Sequence, residues 1–80
     1  MKVEFEVESG WDGVFIIVTA VNRQALGEEM KKTKLPFKWN ARLEGYEVKY
    51  PECISALKEV FGEIPEVILE DAKWLLEHEI

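Results

Sequence analysis

The chain reads as one α+β domain spanning residues 1–80. The expected architecture has two layers, a four-stranded, mainly antiparallel sheet with helices packed on one face, in the order ββαββαα. Three observations predict it. Apolar residues alternate with polar ones at Val3-Phe5-Val7 and at Tyr46-Val48-Tyr50, the period of a half-buried strand. They recur at helical spacing at Leu26-Met30, Ile54-Leu57-Phe61 and Ile68-Ala72-Leu75. Gly, Pro and Asn fall between these segments, where turns and caps need them.

The elements follow in order. Val3, Phe5 and Val7 face one way, and Lys2, Glu4, Glu6 and Glu8 give the strand an acidic outer face. Ser9-Gly10-Trp11-Asp12-Gly13 is a turn. Val14 to Val21 is β-branched and apolar on both sides, as an interior strand requires, and forms a hairpin with the first strand. Asn22 is placed to cap a short helix that ends near Thr33. Pro36 then holds Leu35 extended.

A second hairpin follows. Phe37 and Trp39 point one way, Lys38 and Asn40 the other, and residues 40–45 connect to the strand of Tyr46, Val48 and Tyr50. Pro51 can open a helix that Gly62 stops. Residues 65–79 read as one helix, with Glu66, Glu70, Lys73 and Glu77 outward and Ile68, Ala72, Leu75 and Leu76 inward. A strand at residues 66–70 before a helix capped by Asp71 is the rival, because Val67-Ile68-Leu69 is a short apolar run. The expected core is Val3, Phe5, Val14, Ile16, Val18, Leu26, Trp39, Val48, Ile54, Leu57, Phe61, Ile68, Leu75 and Leu76.

Composition bounds the function. No apolar run approaches the ~20 residues that span a bilayer. Met1 leads straight into the alternating pattern, so no signal peptide is expected and the expected location is cytoplasmic. Fourteen Glu and eight Lys beside seven Asn, Gln, Ser and Thr suggest a thermophilic source. The single cysteine, Cys53, excludes an internal disulfide and a multi-cysteine metal site. It lies on an apolar helix side with no histidine near it in sequence, so it reads as a core residue and not as a nucleophile. The one histidine, His78, sits between Glu77 and Glu79 and reads as solvated. There is no glycine-rich phosphate loop, and Glu4, Glu6 and Glu8 at alternate positions read as a solvated face or guarded edge. Neither catalytic residues, nor a metal, nor a cofactor is expected, and the chain reads as a binding module, not an enzyme.

Charge divides the chain. Residues 1–22 carry Lys2 against Glu4, Glu6, Glu8 and Asp12, and residues 51–80 carry two cations against eight acids. Between them, residues 23–50 carry seven cations against four acids, inside a chain of net charge −6. Clustered cations are what phosphate binding needs.

The hairpin in this basic block carries a resemblance. Trp39-Asn40 followed by Tyr46-Glu47-Val48 is similar to the hairpin of HARP domains and of the related damage-recognition domains that precede helicase motors. There an aromatic residue plus Asp ends a strand, and a second aromatic follows seven positions later, ahead of x-Val and a Pro. Trp39 and Tyr46 have that spacing, with Val48 and Pro51 after them, and the resemblance covers residues 14–62. The chain departs from the pattern at Asn40, where the family has an acid, and at Ala41, where a turn proline is common. The resemblance implies binding of structured DNA, with Lys38, Arg42 and Lys49 as backbone contacts and Lys31, Lys32 and Lys34 nearby. The plainer reading makes the aromatics core and the lysines solubilising. The first expectation is DNA on the basic hairpin; the alternative is a small acidic regulator or inhibitor whose acidic surface mimics phosphate or docks onto a basic protein surface. Trp11, between two glycines, either stacks on a partner or folds back over the sheet edge.

Overall fold

A computed structural model describes residues 1–78 of the chain. The predicted order is observed. β1 (Glu4–Gly10) and β2 (Gly13–Thr19) precede α1 (Arg23–Lys32), and β3 (Lys38–Asn40) and β4 (Gly45–Lys49) precede α2 (Ile54–Phe61) and α3 (Glu66–His78). The sheet order is β1-β2-β4-β3 with every pairing antiparallel. β2 and β4 are the interior strands, which is why β2 is apolar on both sides.

Local signals explain the boundaries. The Asn22 carboxamide oxygen accepts the Ala25 N–H at 3.0 Å and starts α1. Gly62, at φ 88°, turns α2 out of its helical path while its N–H bonds the Lys58 carbonyl. The segment 66–70 is helical, so the strand alternative does not occur. Pro65 explains the choice, because its carbonyl accepts the N–H groups of Ile68 and Leu69 in the first turn. The expected end of this helix at Glu79 lies outside the described residues.

All three helices lie on one sheet face. Val14, Ile16, Val18 and Val48 form the sheet side of the core, and Leu26, Met30, Cys53, Leu57, Ile64 and Ala72 the helix side. Val3, Phe5, Ile54, Phe61, Ile68 and Leu75 pack against this cluster, as expected. Two members of the expected core do not belong to it. Trp39 is 36% exposed, because β3 is a three-residue strand at the edge of the sheet. Leu76 is 45% exposed, because α3 buries Ala72 and turns Leu76 away from the sheet. Met30, which shares the apolar stripe of Leu26, is enclosed, and so is Ile64, which the sequence pattern did not mark.

Candidate functional site

The other sheet face carries no helix, and its composition follows from register. Glu4, Glu6 and Glu8 pair with Thr19, Ile17 and Phe15, and Phe15 and Ile17 in turn pair with Lys49 and Glu47. Lys38 and Asn40 of β3 pair with Glu47 and Gly45. Because directly paired residues share a face, all of these side chains belong to the open side. Tyr46, Trp39 and Phe37 fall on the opposite, helix side, where both rings meet Tyr46 edge-on at centroid distances of 5.0 and 5.2 Å. The hairpin therefore has aromatic and charged faces, as its alternation predicts.

The β3–β4 turn folds over the open face. Asn40 Nδ2 donates to Glu47 Oε2 at 3.2 Å and reaches Glu8 Oε1 at 3.4 Å, and Arg42 pairs with Glu8. Asn40 Oδ1 accepts the Leu43 N–H at 3.0 Å and shapes the turn. Glu8 lies on β1 and Asn40 on β3, so these bonds bridge β2 and β4. Ile17 of β2 is fully enclosed although it lies on the open face. Gly45 permits the closure: a Cβ there would lie 2.6 Å from Thr19 Cγ2 and 2.7 Å from the Val18 carbonyl oxygen.

The six expected phosphate contacts separate into two groups. Lys31 pairs with Glu28 at 3.8 Å, Lys32 with Glu29 at 2.6 Å, and Arg42 with Glu8. Lys31 and Lys32 also occupy the last turn of α1, where cations complement the helix dipole. Lys34 follows α1 in left-handed conformation at φ 60°. Lys38 stands directly across from Glu47, and Lys49 crosses toward Gly13, whose Cβ position would lie 3.1 Å from Lys49 Cε. Three of the six, Lys31, Lys32 and Arg42, thus stand in ion pairs. A further cation that sequence reasoning did not single out, Arg23, pairs with Glu44 and lies over the Trp39 ring at 5.6 Å.

Trp11 stands at the β1–β2 tip with full exposure and does not fold back over the sheet. The register places it at the same end of the sheet as Lys49, whereas Lys38, level with Glu47, Ile17 and Glu6 on the far edge strand, lies nearer the other end. The opposite end holds an open groove of about 780 Å³ that includes Glu4, Glu6, Leu43, Glu44 and Val21. Lys2 and Arg23 line it too, and because Arg23 pairs with Glu44, its acidic character rests on Glu4 and Glu6.

The groups with inherent reactivity serve structure. Cys53 is enclosed, and burial pushes its thiol pKa from 9.0 up to about 11, so the nucleophilic thiolate is scarce near neutrality. His78 stacks on Trp74 at 4.3 Å and its Nδ1 lies 2.8 Å from the Trp74 carbonyl oxygen. Among the described residues no cluster of three or more His, Cys, Asp or Glu is placed to hold a metal, and no helix is long and apolar enough to cross a membrane. Comparison with protein-family models, with curated proteins and with solved structures finds no match.

Proposed function

We propose that the chain is a non-enzymatic binding module whose partner is a protein with a basic surface, bound on the acidic half of the open sheet face. One observation carries this reading. Glu4 and Glu6 stand exposed on the helix-free face, while Lys31, Lys32 and Arg42 are engaged by carboxylates. A net charge of −6 adds to the potential that steers a cationic partner. A cytoplasmic setting is consistent with this role.

A specific arrangement favours a second reading, nucleic-acid association. Trp11 and Lys49 share one end of the sheet, and an exposed aromatic beside a cation is what stacking on a single strand uses. The resemblance of the Trp39–Tyr46 hairpin to damage-recognition domains points the same way. That end offers few cations, and it also holds Asp12 and Glu8, the latter level with Lys49 across Phe15.

Fluorescence anisotropy separates the two. The probes are a labelled peptide alternating Lys and Val, and single-stranded, duplex and forked DNA. The expected result at ~50 mM salt is peptide binding and no DNA binding at tens of micromolar protein. DNA binding that weakens by about 0.7–0.9 in log–log salt slope per phosphate contact, with the peptide unbound, would replace the first reading by the second.

A further inference from the structure

The outer edge of β1 has a defined backbone pattern. The Val14 carbonyl accepts the Tyr50 N–H at 2.9 Å, which turns the backbone groups of Val14 toward the β4 side. Alternation along β2 then turns Phe15 and Ile17 toward β1. Their partners Glu8 and Glu6 face back to β2, so Phe5 and Val7 direct their N–H and C=O groups outward from the sheet. β1 ends the sheet, and among the described residues no other backbone group bonds Phe5 or Val7 on that side. Natural sheets shorten, cover or charge such an edge; β1 is seven residues long, and its charges, Glu4, Glu6 and Glu8, stand on one face and leave the backbone edge itself uncovered.

The two sides of this edge differ in chemistry. On the open face stand the exposed carboxylates of Glu4 and Glu6. On the helix face a groove of about 360 Å³ runs between β1 and α3, lined by Val3, Phe5, Pro65, Val67 and Ile68 together with Glu4 and Glu63. Val67 is 60% exposed, and Trp74, two turns along the same side of α3, is 58% exposed.

We propose that β1 accepts a fifth strand, an extended partner segment in which basic residues alternate with apolar ones. This inference rests on the protein-binding reading above. A strand laid ~4.8 Å from β1 places alternate side chains on opposite faces. One set then lies beside Glu4 and Glu6, and the other enters the groove beside Phe5 and Val67. Backbone bonds to Phe5 and Val7 supply affinity, and the alternation supplies specificity. A second copy of this chain fits poorly. Pairing β1 with β1 in a continuous sheet sets two rows of Glu against each other on one face, and like charges so placed repel.

The test uses the full chain, isotopically labelled for amide exchange, and the peptide Lys-Val-Lys-Val-Lys-Val-Lys with both ends blocked. The expected result is about tenfold slower exchange at Phe5 and Val7 on peptide addition, with Glu6 little changed because it already bonds β2. A peptide of the same composition in blocks, Lys-Lys-Lys-Lys-Val-Val-Val, is expected to bind about tenfold more weakly. The double variant Glu4→Lys/Glu6→Lys is expected to lose the Lys-Val peptide by about tenfold and to gain the corresponding Glu-Val peptide. Unchanged protection at Val48 verifies that the variant is folded. Peptide binding that leaves Phe5 and Val7 unprotected overturns the fifth strand but not the protein-binding reading. Failure of both cationic peptides to bind overturns that reading, and the fifth strand with it. Self-association that protects Phe5 and Val7 overturns the choice of partner.

Discussion

The two faces of the sheet bury apolar residues by different means. On the helix side, Val14, Ile16, Val18 and Val48 meet Leu26, Met30, Leu57 and Ala72 in one contiguous cluster. On the open side, Ile17 is equally enclosed but lies outside that cluster. Above its side of the sheet, Asn40, Arg42, Glu8 and Glu47 tie the β3–β4 turn across the strands. One face is closed by helices, the other by a folded-over turn and a polar network. The difference also divides the roles. Residues that hold the fold concentrate on the helix side and in the turn, and Glu4 and Glu6 at the β1 end stand exposed.

The largest expected effect tests the helix side. Leu57 is fully buried, and Leu57→Ala is expected to cost about 2–5 kcal/mol in urea unfolding. A loss below ~0.5 kcal/mol would mean that α2 does not seal this face. Next comes the open face. Gly45→Ala must displace Thr19 Cγ2 or the Val18 carbonyl, at 2.6 and 2.7 Å from the new Cβ, and is expected to cost about 1–3 kcal/mol. A neutral Gly45→Ala would show that the turn does not close so tightly.

A smaller effect distinguishes the faces by pH. The folded-state pKa of Cys53 is raised from 9.0 to about 11, so its thiol contributes stability that is present below pH 9 and is lost as pH rises toward 11. Wild type is therefore expected to lose more stability across that window than Cys53→Ala, and its thiol is expected to alkylate far more slowly folded than in urea. Equal slopes and equal alkylation rates would place Cys53 outside the core. The smallest effect is a gain. Lys34 sits at φ 60°, where a side chain is strained, so Lys34→Gly is expected to stabilise by about 0.5–1 kcal/mol in the same melts. Because that substitution removes one cation of the basic block, it also sharpens the charge comparison.

What the sequence made legible was local. The alternation of Val3-Phe5-Val7 and of Tyr46-Val48-Tyr50, the Asn22 cap and the Gly62 stop each act within a few residues, and each appears where expected. The α3 assignment also followed from helical spacing, although Val67-Ile68-Leu69 alone was ambiguous between helix and strand. Long-range pairing was not legible. Glu8 meets Arg42 thirty-four positions later, so the central cation block looked more available in the sequence than it is in the fold. Trp39 has the alternation of a core residue, but its exposure depends on β3 being the edge strand, which follows from the β2–β4 pairing. The candidate site shares this limit. Glu4, Glu6 and Trp11 were visible as residues, whereas the groove beside β1 exists only once α3 crosses it.

The proposed partner surface is the Glu4–Glu6 end of the open face and not the Trp11 end. Amide and indole nuclear magnetic resonance spectra of the full chain, titrated separately with the Lys-Val peptide and with single-stranded DNA, test this directly. The predicted result is that the peptide shifts the amides of Glu4 to Val7 and that DNA leaves the Trp11 indole, Lys38 and Lys49 unmoved. DNA-dependent shifts at Trp11 and Lys49, with no response of β1 to the peptide, would contradict it.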